Sequence, residues 1–214
     1  MNSLRICERF HSIQGESTWA GLPCVFFRLA GCNLRCAWCD AAYSQEDGGE
    51  TAAIGELVDW AGRYRGAIVE ITGGEPLLQE GVYPLIEELL GRGRTVLVET
   101  NGSLAIDRLP AAAVAIVDVK CPGSGMAGHF HLPNLALLRD HDQLKFVLSS
   151  REDYRWALAF IRQHRLLGRE LLFSPVSGRL DGADLAAWIL ADDIPVRLQL
   201  QLHKLLWPGI DRGV

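Results

Sequence analysis

Three cysteines lie close together in the sequence, and thiols at such spacing can bind a metal. The segment GCNLRCAWCD, residues 31–40, places Cys32, Cys36 and Cys39 in a CxxxCxxC pattern. A structural zinc site would need a fourth ligand, which would have to come from Cys24, His11 or Cys121. A four-iron cluster held by three thiolates instead leaves one iron open to a ligand from outside the protein. The spacing favours a metal cluster over three unrelated cysteines.

The elements that must position these thiols follow an alternating pattern. Apolar runs of strand length alternate with segments of helical period, which predicts an α/β domain with a mostly parallel sheet. The predicted strands are Cys24 to Leu29, Ala67 to Thr72, Thr95 to Glu99, Ala115 to Val119, Leu144 to Leu148, Leu171 to Phe173 and Val196 to Leu200. At 214 residues the chain is shorter than the roughly 250 of a complete eight-fold barrel. We therefore predict an incomplete (β/α) barrel of roughly six βα units.

Helical stripes between the strands are interpreted as core. They involve Leu57, Ala61 and Tyr64, then Leu85, Ile86, Leu89 and Leu90, then Trp156 and Phe160, then Leu185, Trp188 and Ile189. A shorter helix is predicted for Asn134 to Arg139, and a turn with at most a short helix for Leu104 to Pro110.

Polar clusters follow the predicted strands at their C-terminal ends. They read LAGCNLRC, TGGEP, ETNG, DVKCP, SPVS and QLHK in chain order. Because the C-terminal ends of parallel strands share one face, where such folds assemble active sites, we predict an enzyme. The paired glycines of TGGEP would let the backbone approach a ligand closely, although a plain βα turn explains them too.

Composition and charge exclude several classes of protein. The 49% hydrophobic content predicts one globular domain over residues 1–214, and the net charge of −5 gives no reason to expect a nucleic-acid partner. The longest apolar run, Ala111 to Val117, falls short of the ~18 residues of a membrane span. Arg5, Glu8 and Arg9 interrupt the N-terminus where a secretion signal would be apolar. We expect a cytoplasmic protein with reduced thiols, in which Cys7, Cys24 and Cys121 are small buried hydrophobes.

Several charged residues on apolar strands allow two interpretations. Arg28 must meet a carboxylate, from either the protein or a ligand. Glu99, Asp118, Lys120 and Lys145 either pair with one another or serve a site, because unpaired burial is costly. His203 is either a core histidine or part of the same rim.

The cysteine loop and the GGE segment together resemble the radical S-adenosylmethionine (SAM) superfamily. Nearly the whole chain further resembles the 7-carboxy-7-deazaguanine synthase family within it. The matching strings are FHSIQGES, GLPCVFFRLAGCNLRCAWCD, ITGGEPLLQ, ETNG, VDVKCPGSGM, LKFV, SPVSG and QLHKLLW.

This resemblance implies a carbon-nitrogen lyase reaction and its cofactors. The substrate would be 6-carboxy-5,6,7,8-tetrahydropterin, which a ring contraction converts with loss of ammonia to 7-carboxy-7-deazaguanine, in queuosine or 7-deazapurine biosynthesis. A 4Fe-4S cluster, SAM and Mg²⁺ would be the cofactors, with SAM cleaved to a 5'-deoxyadenosyl radical. The resemblance also implies a homodimer and an electron donor such as flavodoxin.

The resemblance also implies residue roles by matching position. Cys32, Cys36 and Cys39 would hold the cluster. The segments contacting SAM would contain Trp38, Cys39, Asp40, Gly74, Asp118, Val119, Lys120, Ser174, Pro175, Val176 and Ser177. The pterin would contact Ile13, Gln14, Gly15, Arg28, Thr72, Glu99, Asn101 and His203, with Arg28 binding its carboxylate.

Two positions depart from the family pattern. The family usually has threonine, a magnesium ligand, where this chain has Ala41. A methyl group cannot bind magnesium, but water can replace one lost oxygen ligand. QGES, ending at Ser17, replaces the more usual QGEG.

Two rival functions remain open at this stage. A glycyl-radical activase shares a similar cysteine loop, although its substrate is a protein. A zinc-binding structural or nucleic-acid module could use the same cysteines, but the acidic balance disfavours it. Turnover of a small pterin, or the metal content of the protein, would separate these two functions from the synthase reaction.

Overall fold

Nine strands form one mixed sheet in the part of the chain that the structure describes. The structure is a computed structural model and describes residues 3–46 and 48–214. The strands are β1 (Ser3–Ile13), β2 (Pro23–Leu29), β3 (Glu50–Ala53), β4 (Ile68–Gly73), β5 (Val96–Thr100), β6 (Val114–Asp118), β7 (Gln143–Leu148), β8 (Glu170–Pro175) and β9 (Arg197–Leu198). Their order is β3-β1-β2-β4-β5-β6-β7-β8-β9. Strands β2 to β9 are parallel apart from β3, and β1 pairs antiparallel with β2 and β3.

Within the described residues, five α-helices lie between strands and a sixth follows β9. They are α1 (Ile54–Gly62), α2 (Val82–Gly91), α3 (Asn134–Leu137), α4 (Arg151–Gln163), α5 (Gly182–Ala191) and α6 (Leu202–Leu206). Local sequence explains two of their starts: the Ser150 hydroxyl accepts from the Asp153 N–H before α4, and the Asp181 carboxylate accepts from the Ala183 N–H before α5. Within the described residues no helix is long and apolar enough to cross a membrane.

The predicted incomplete barrel is confirmed as an open sheet, because β3 and β9 lie at its two ends and do not pair in the part of the chain described. The seven predicted strands are the seven parallel ones, although only Arg197–Leu198 of the last one pairs. Strands β1 and β3 escaped prediction because they form a half-exposed antiparallel extension without a continuous apolar run.

The predicted helices are present, but some of them end earlier than predicted. Helix α1 ends before Tyr64, helix α3 stops at Leu137, and residues 104–110 form only turns. The apolar stripes pack into the core, in which Tyr64, Leu90, Trp156, Phe160 and Trp188 are partly buried.

Side chains along each parallel strand alternate between the two faces of the sheet. The outer face packs against the helices and is mainly apolar, as Val69 and Ile71 illustrate on β4. The inner face is apolar only near the N-terminal ends of the strands, where Phe26, Ile68, Leu97 and Ile116 form a second cluster. Two residues further along, the same inner positions become polar: they are Arg28, Glu70, Glu99 and Asp118. The predicted polar rim is thus the part of the inner face near the C-terminal ends of the parallel strands.

The isolated cysteines behave as predicted in two cases out of three. Cys24 and Cys121 are fully buried, and burial raises the pKa of both thiols. Cys7 is only partly buried, so its prediction as core is wrong. Cys24 lies near the start of β2, at the end of the strand opposite the cysteine loop, and so cannot complete a site there.

Asp142 is the principal polar anchor of the β6–β7 connection. Its buried carboxylate accepts from the Ala115 N–H at 2.8 Å, from the Arg139 N–H at 2.8 Å and from the Arg139 guanidinium at 2.8 and 2.9 Å. We predict that Asp142→Ala lowers the free energy of unfolding by about 3 kcal/mol, because it leaves these donors without an acceptor. Urea unfolding would measure the loss.

The control is Asp140→Ala, because the Asp140 carboxylate is fully exposed and lies 3.5 Å from Arg169. It should change the free energy of unfolding by less than about 1 kcal/mol. Equal effects of the two variants would contradict the role of Asp142.

Candidate active site

One cavity of about 900 Å³ opens at the C-terminal ends of the parallel strands. It brings together most of the residues predicted from the sequence. These are Ile13, Gln14, Gly15, Arg28, Cys32, Cys36, Trp38, Cys39, Asp40, Thr72, Gly74, Glu99, Asn101, Asp118, Lys120, Val176, Ser177 and His203. Such convergence from distant sequence positions is expected for the active-site end of an α/β fold.

Three predicted cofactor contacts lie outside the cavity lining. Val119 is fully buried and packs in the outer core. Ser174 is buried, and its hydroxyl donates to the Gln199 carbonyl at 3.0 Å. Pro175 is buried beside it at the end of β8. Their roles stay predictions.

Backbone hydrogen bonds fix the cysteine loop at both ends. The Gly31 and Cys32 N–H groups donate to the Ser44 and Gln45 carbonyls at 2.8 and 3.1 Å, and the Ala37 N–H donates to Ser124 at 3.1 Å. Gly74 makes room for this loop, because a Cβ there would lie 2.1 Å from the Gly31 carbonyl oxygen. The GGE glycines thus serve close packing of backbone, beyond a plain turn.

The three loop thiols are partly exposed and free of disulfides. Cys32 Sγ accepts from the Leu34 N–H at 3.4 Å and lies 3.8 Å from the Asn101 amide nitrogen. Burial raises the pKa of Cys36, and the nearby Lys120 ammonium opposes that rise. Within the described residues, no three His, Cys, Asp or Glu side chains form a group suited to a single metal ion.

Asn101 lines the cavity, and its contact with the pterin stays a prediction. Its Oδ1 accepts from the Ser103 N–H at 2.9 Å, and its Nδ2 donates to Asn33 Oδ1 at 3.0 Å. The side chain therefore supports the cysteine loop, and both ends of its amide already have protein partners.

Asp118 and Lys120 form an ion pair of 2.6 Å beside Cys36. Burial alone would lower the pKa of Lys120, but the Asp118 carboxylate raises it above its usual value. The second oxygen of Asp118 is buried and has no hydrogen-bond partner among the described residues. Such an orphaned acceptor at a cavity wall is suited to an N–H or O–H donor of a bound molecule.

Lys145 binds two carboxylates at the centre of the cavity floor. Its ammonium donates to Glu16, from the loop after β1, and to Glu99 at the end of β5. Burial alone would lower the pKa of Lys145, but the two carboxylates raise it well above its usual value. The second Glu99 oxygen lies 3.4 Å from the Thr72 hydroxyl. The mutual-pairing interpretation of these strand-end charges is therefore confirmed.

Glu70 is a cavity residue that the sequence reasoning missed. It lies on β4 two residues before Thr72, on the same face, and accepts from the Gln14 side-chain amide. Burial raises its pKa well above the usual value, and the nearby Glu99 carboxylate adds to the rise. The strand IVEIT reads as apolar apart from this residue, and that single break was the available signal.

Arg28 meets a protein carboxylate, as one of the two interpretations expected. Its Nε donates to Glu8 at 2.7 Å. Burial alone would lower its pKa, but Tyr43 and Glu8 raise it. Its two Nη groups have no acceptor among the described residues, so both can donate to a ligand carboxylate in the cavity.

His203 lies against the backbone of Gly15. A Cβ at Gly15 would lie 2.4 Å from His203 Nδ1, so glycine is required for this approach. Burial lowers the pKa of His203, with Glu16 and Asp40 opposing, and the imidazole is therefore neutral at pH 7. Nearby, Ser17 has a left-handed φ of 64°, which explains why glycine is the more usual residue there.

Asp40 links the cysteine loop to the C-terminal region. It accepts from the Gln201 amide at 3.1 Å and lies 3.5 Å from the Lys204 ammonium. Burial alone would raise the pKa of Asp40, but Lys204 and Lys145 lower it to about 2. The neighbouring Ala41 also lines the cavity and presents a methyl group.

Glu75, the acid of the GGE segment, should make the free energy of unfolding depend on pH. Its buried carboxylate accepts from the Asn101 N–H at 2.7 Å, the Thr100 hydroxyl at 2.9 Å and the Leu77 N–H at 3.0 Å. Burial raises the pKa of Glu75 from 4.5 to about 7, despite these donors. Between these two values the folded state keeps a proton that the unfolded state has lost, so this group's contribution falls as pH rises, by about 1.4 kcal/mol per pH unit.

Glu75→Gln removes this proton exchange. The difference in unfolding free energy between wild type and Glu75→Gln should fall from pH 5 to pH 7 and become constant above pH 8. Urea unfolding across this range measures it, and a difference that does not vary with pH would contradict the assignment.

Comparisons with known proteins identify the family of this chain. The family model described as the radical SAM superfamily matches residues 28–120, which contain the cysteine loop and the GGE segment. A 7-carboxy-7-deazaguanine synthase from Koribacter versatilis is 43% identical and covers 99% of this chain and 100% of its own length. The synthase of the same name from Chlorobaculum tepidum is 44% identical and covers 99% and 97%.

Solved structures support the fold. The crystal structure of QueE from Escherichia coli has a TM-score of 0.74 at 24% identity, covering 92% of this chain and 94% of its own. The structure of SuiB from Streptococcus suis bound to its precursor peptide has a TM-score of 0.60 at 13% identity, covering 82% and 47%. From its full-length similarity to the two synthases, the chain belongs to the 7-carboxy-7-deazaguanine synthase family of radical SAM enzymes.

Proposed function

We propose that this enzyme converts 6-carboxy-5,6,7,8-tetrahydropterin to 7-carboxy-7-deazaguanine with loss of ammonia, in queuosine or 7-deazapurine biosynthesis. The observation that carries the proposal is one cavity in which three free thiols and an orphaned carboxylate oxygen share the walls with a cationic guanidinium and a neutral imidazole. The family names of the full-length relatives supply the reaction.

The thiols of Cys32, Cys36 and Cys39 would hold a 4Fe-4S cluster, for which three thiolates on one fixed loop are the appropriate donors. Such a cluster, together with SAM, would supply radical chemistry at the substrate. The free Asp118 oxygen would accept from a donor group of SAM, and the contact with Lys120 orients that carboxylate. Trp38, Asp40, Gly74, Val119 and residues 174–177 complete the proposed SAM contacts.

The opposite wall would bind the pterin. Arg28 offers two Nη groups to the carboxylate of the substrate, a geometry suited to bidentate binding. Ile13, Gln14 and Gly15 present backbone along one edge, and His203 stands against Gly15 as a neutral hydrogen-bonding group. Thr72 and Glu99 lie between the two walls, although Lys145 already occupies one Glu99 oxygen.

The wider setting of the enzyme belongs to the same proposal. Residues 1–214 would form a single radical SAM domain that acts as a homodimer in the cytoplasm, with an electron donor such as flavodoxin. The exposed side chains of Leu190, Leu205 and Leu206 provide apolar surface for a second subunit. Neither nucleic acid nor a membrane is a proposed partner.

The deciding experiment is an anaerobic incubation of cluster-reconstituted protein with reductant, SAM and 6-carboxytetrahydropterin. Mass spectrometry should detect 7-carboxy-7-deazaguanine. We predict that Cys36→Ala abolishes both this product and 5'-deoxyadenosine, because it removes one cluster ligand. Iron content and the visible absorption of the cluster should fall with them.

Cys7→Ala is the matched control, since Cys7 is a partly buried thiol outside the cavity lining. It should retain product, iron and colour. Full activity of Cys36→Ala would contradict the cluster assignment. If the wild type forms 5'-deoxyadenosine but no deazaguanine, the substrate assignment fails and activation of a glycyl-radical protein becomes the better explanation.

Magnesium dependence should change at Ala41. We propose that Mg²⁺ binds beside the substrate with water in place of the missing threonine oxygen, so the wild type should respond weakly to the ion. Ala41→Thr restores a hydroxyl at the cavity wall and should increase the stimulation of turnover by Mg²⁺ several-fold. Ala42→Thr adds the same hydroxyl one residue further along and is the control. An unchanged response of Ala41→Thr would contradict this role.

A further inference from the structure

We propose that Glu8 is a positioning residue that orients Arg28 for the carboxylate of the substrate and fastens residues 207–214 over the cavity. The inference rests on the proposed function for the identity of that carboxylate. Glu8 itself does not line the cavity, and no sequence motif singled it out as part of a site.

A β-bulge gives Glu8 its direction. Ile6 pairs with Leu29 and Glu8 pairs with Arg28, so the step from one pair to the next takes two residues in β1 but only one in β2. Ile6 belongs to the outer core, whereas Phe10, beyond the bulge, belongs to the inner cluster. One extra residue inverts the alternation of side chains, and without it Glu8 would face the apolar outer core.

The Glu8 carboxylate collects donors from three separate parts of the chain. Oε1 accepts from Arg28 Nε at 2.7 Å and from the Tyr43 hydroxyl at 2.7 Å. Oε2 accepts from the Gly213 N–H at 3.2 Å. The Glu8 and Arg28 side chains are only 15% and 18% exposed, so water screens their interaction weakly.

Anchoring by Nε determines where Arg28 can point. A guanidinium held at Nε keeps a fixed plane, and its two Nη groups, which make no hydrogen bond to Glu8, remain as donors. The Arg28 side chain lines the cavity, so these donors are available to a ligand there. A carboxylate bound to the Nη groups therefore meets a pre-oriented partner.

The same carboxylate holds the C-terminal segment in place. Trp207, Ile210, Asp211 and Val214 line the cavity. The segment contacts Tyr43 twice: the Asp211 carbonyl lies 3.2 Å from the Tyr43 hydroxyl, and the Arg212 guanidinium lies 4.1 Å from the Tyr43 ring. With the Gly213 bond to Glu8, these contacts cover the side of the cavity nearest Arg28.

The test compares ligand binding with the mobility of the segment, using cluster-reconstituted full-length protein. The probes are 6-carboxypterin and pterin, which differ only in the carboxylate, and neither requires turnover. Glu8→Gln should weaken 6-carboxypterin binding about tenfold while changing pterin binding less than about twofold. Hydrogen exchange of residues 207–214 should accelerate in the same variant.

Two further variants sharpen the result. Tyr43→Phe removes a hydroxyl contact to the segment but leaves Arg28 bound to Glu8, so it should accelerate exchange with a smaller effect on 6-carboxypterin. Glu50→Gln makes the same change at an exposed acid 3.6 Å from Arg9 and should alter neither readout.

Three outcomes would overturn the proposal for Glu8. They are an equal loss of both pterins in Glu8→Gln, no loss of either, or unchanged exchange of residues 207–214. A wild type that binds neither pterin contradicts the proposed function and removes the ligand half of this inference. Failure of the proposed function can be told apart from failure of the Glu8 proposal, because the hydrogen-exchange measurement needs no pterin.

Discussion

The fold depends on satisfying charges that its own strands bury. Arg28, Glu70, Glu99, Asp118 and Lys145 all sit on strands that are otherwise apolar, at inner positions shielded from solvent. Each would be costly to bury alone, since an uncompensated charge loses its hydration. The protein meets this cost by pairing: Lys145 with Glu16 and Glu99, Arg28 with Glu8, and Asp118 with Lys120.

These pairs also organise the segments around the sheet. Glu16 comes from the loop after β1 and also accepts from Gln201 before α6, so one carboxylate joins three distant parts of the chain. Asp40 connects the cysteine loop to Lys204 in the same way. The loops over the cavity are therefore held by charged contacts as well as by backbone hydrogen bonds. Removal of a single charge should consequently disturb binding before it disturbs the outer core.

Incomplete pairing is what equips the cavity for chemistry. One Asp118 oxygen has no partner and both Arg28 Nη groups lack an acceptor among the described residues. Glu70 and Glu75 have raised pKa values because burial outweighs their donors, and His203 has a lowered one. Binding a pterin carboxylate and SAM would satisfy the unpaired groups, so ligand binding completes an arrangement that the chain leaves unfinished.

The sequence by itself determined the seven parallel strands and the helices between them, the cysteine spacing and the family, because these depend on local periodicity and on matched motifs. It also placed the polar clusters at the ends of strands. Tertiary structure decided which face each strand residue occupies, since β4, which is apolar on both faces apart from Glu70 and Thr72, gives too little alternation to assign Glu70. It decided that the Asn101 amide serves the cysteine loop, because its partners lie about seventy residues away in sequence. It also decided the direction of Glu8, because a single inserted residue in β1 inverts the side-chain alternation only when β1 is paired with β2.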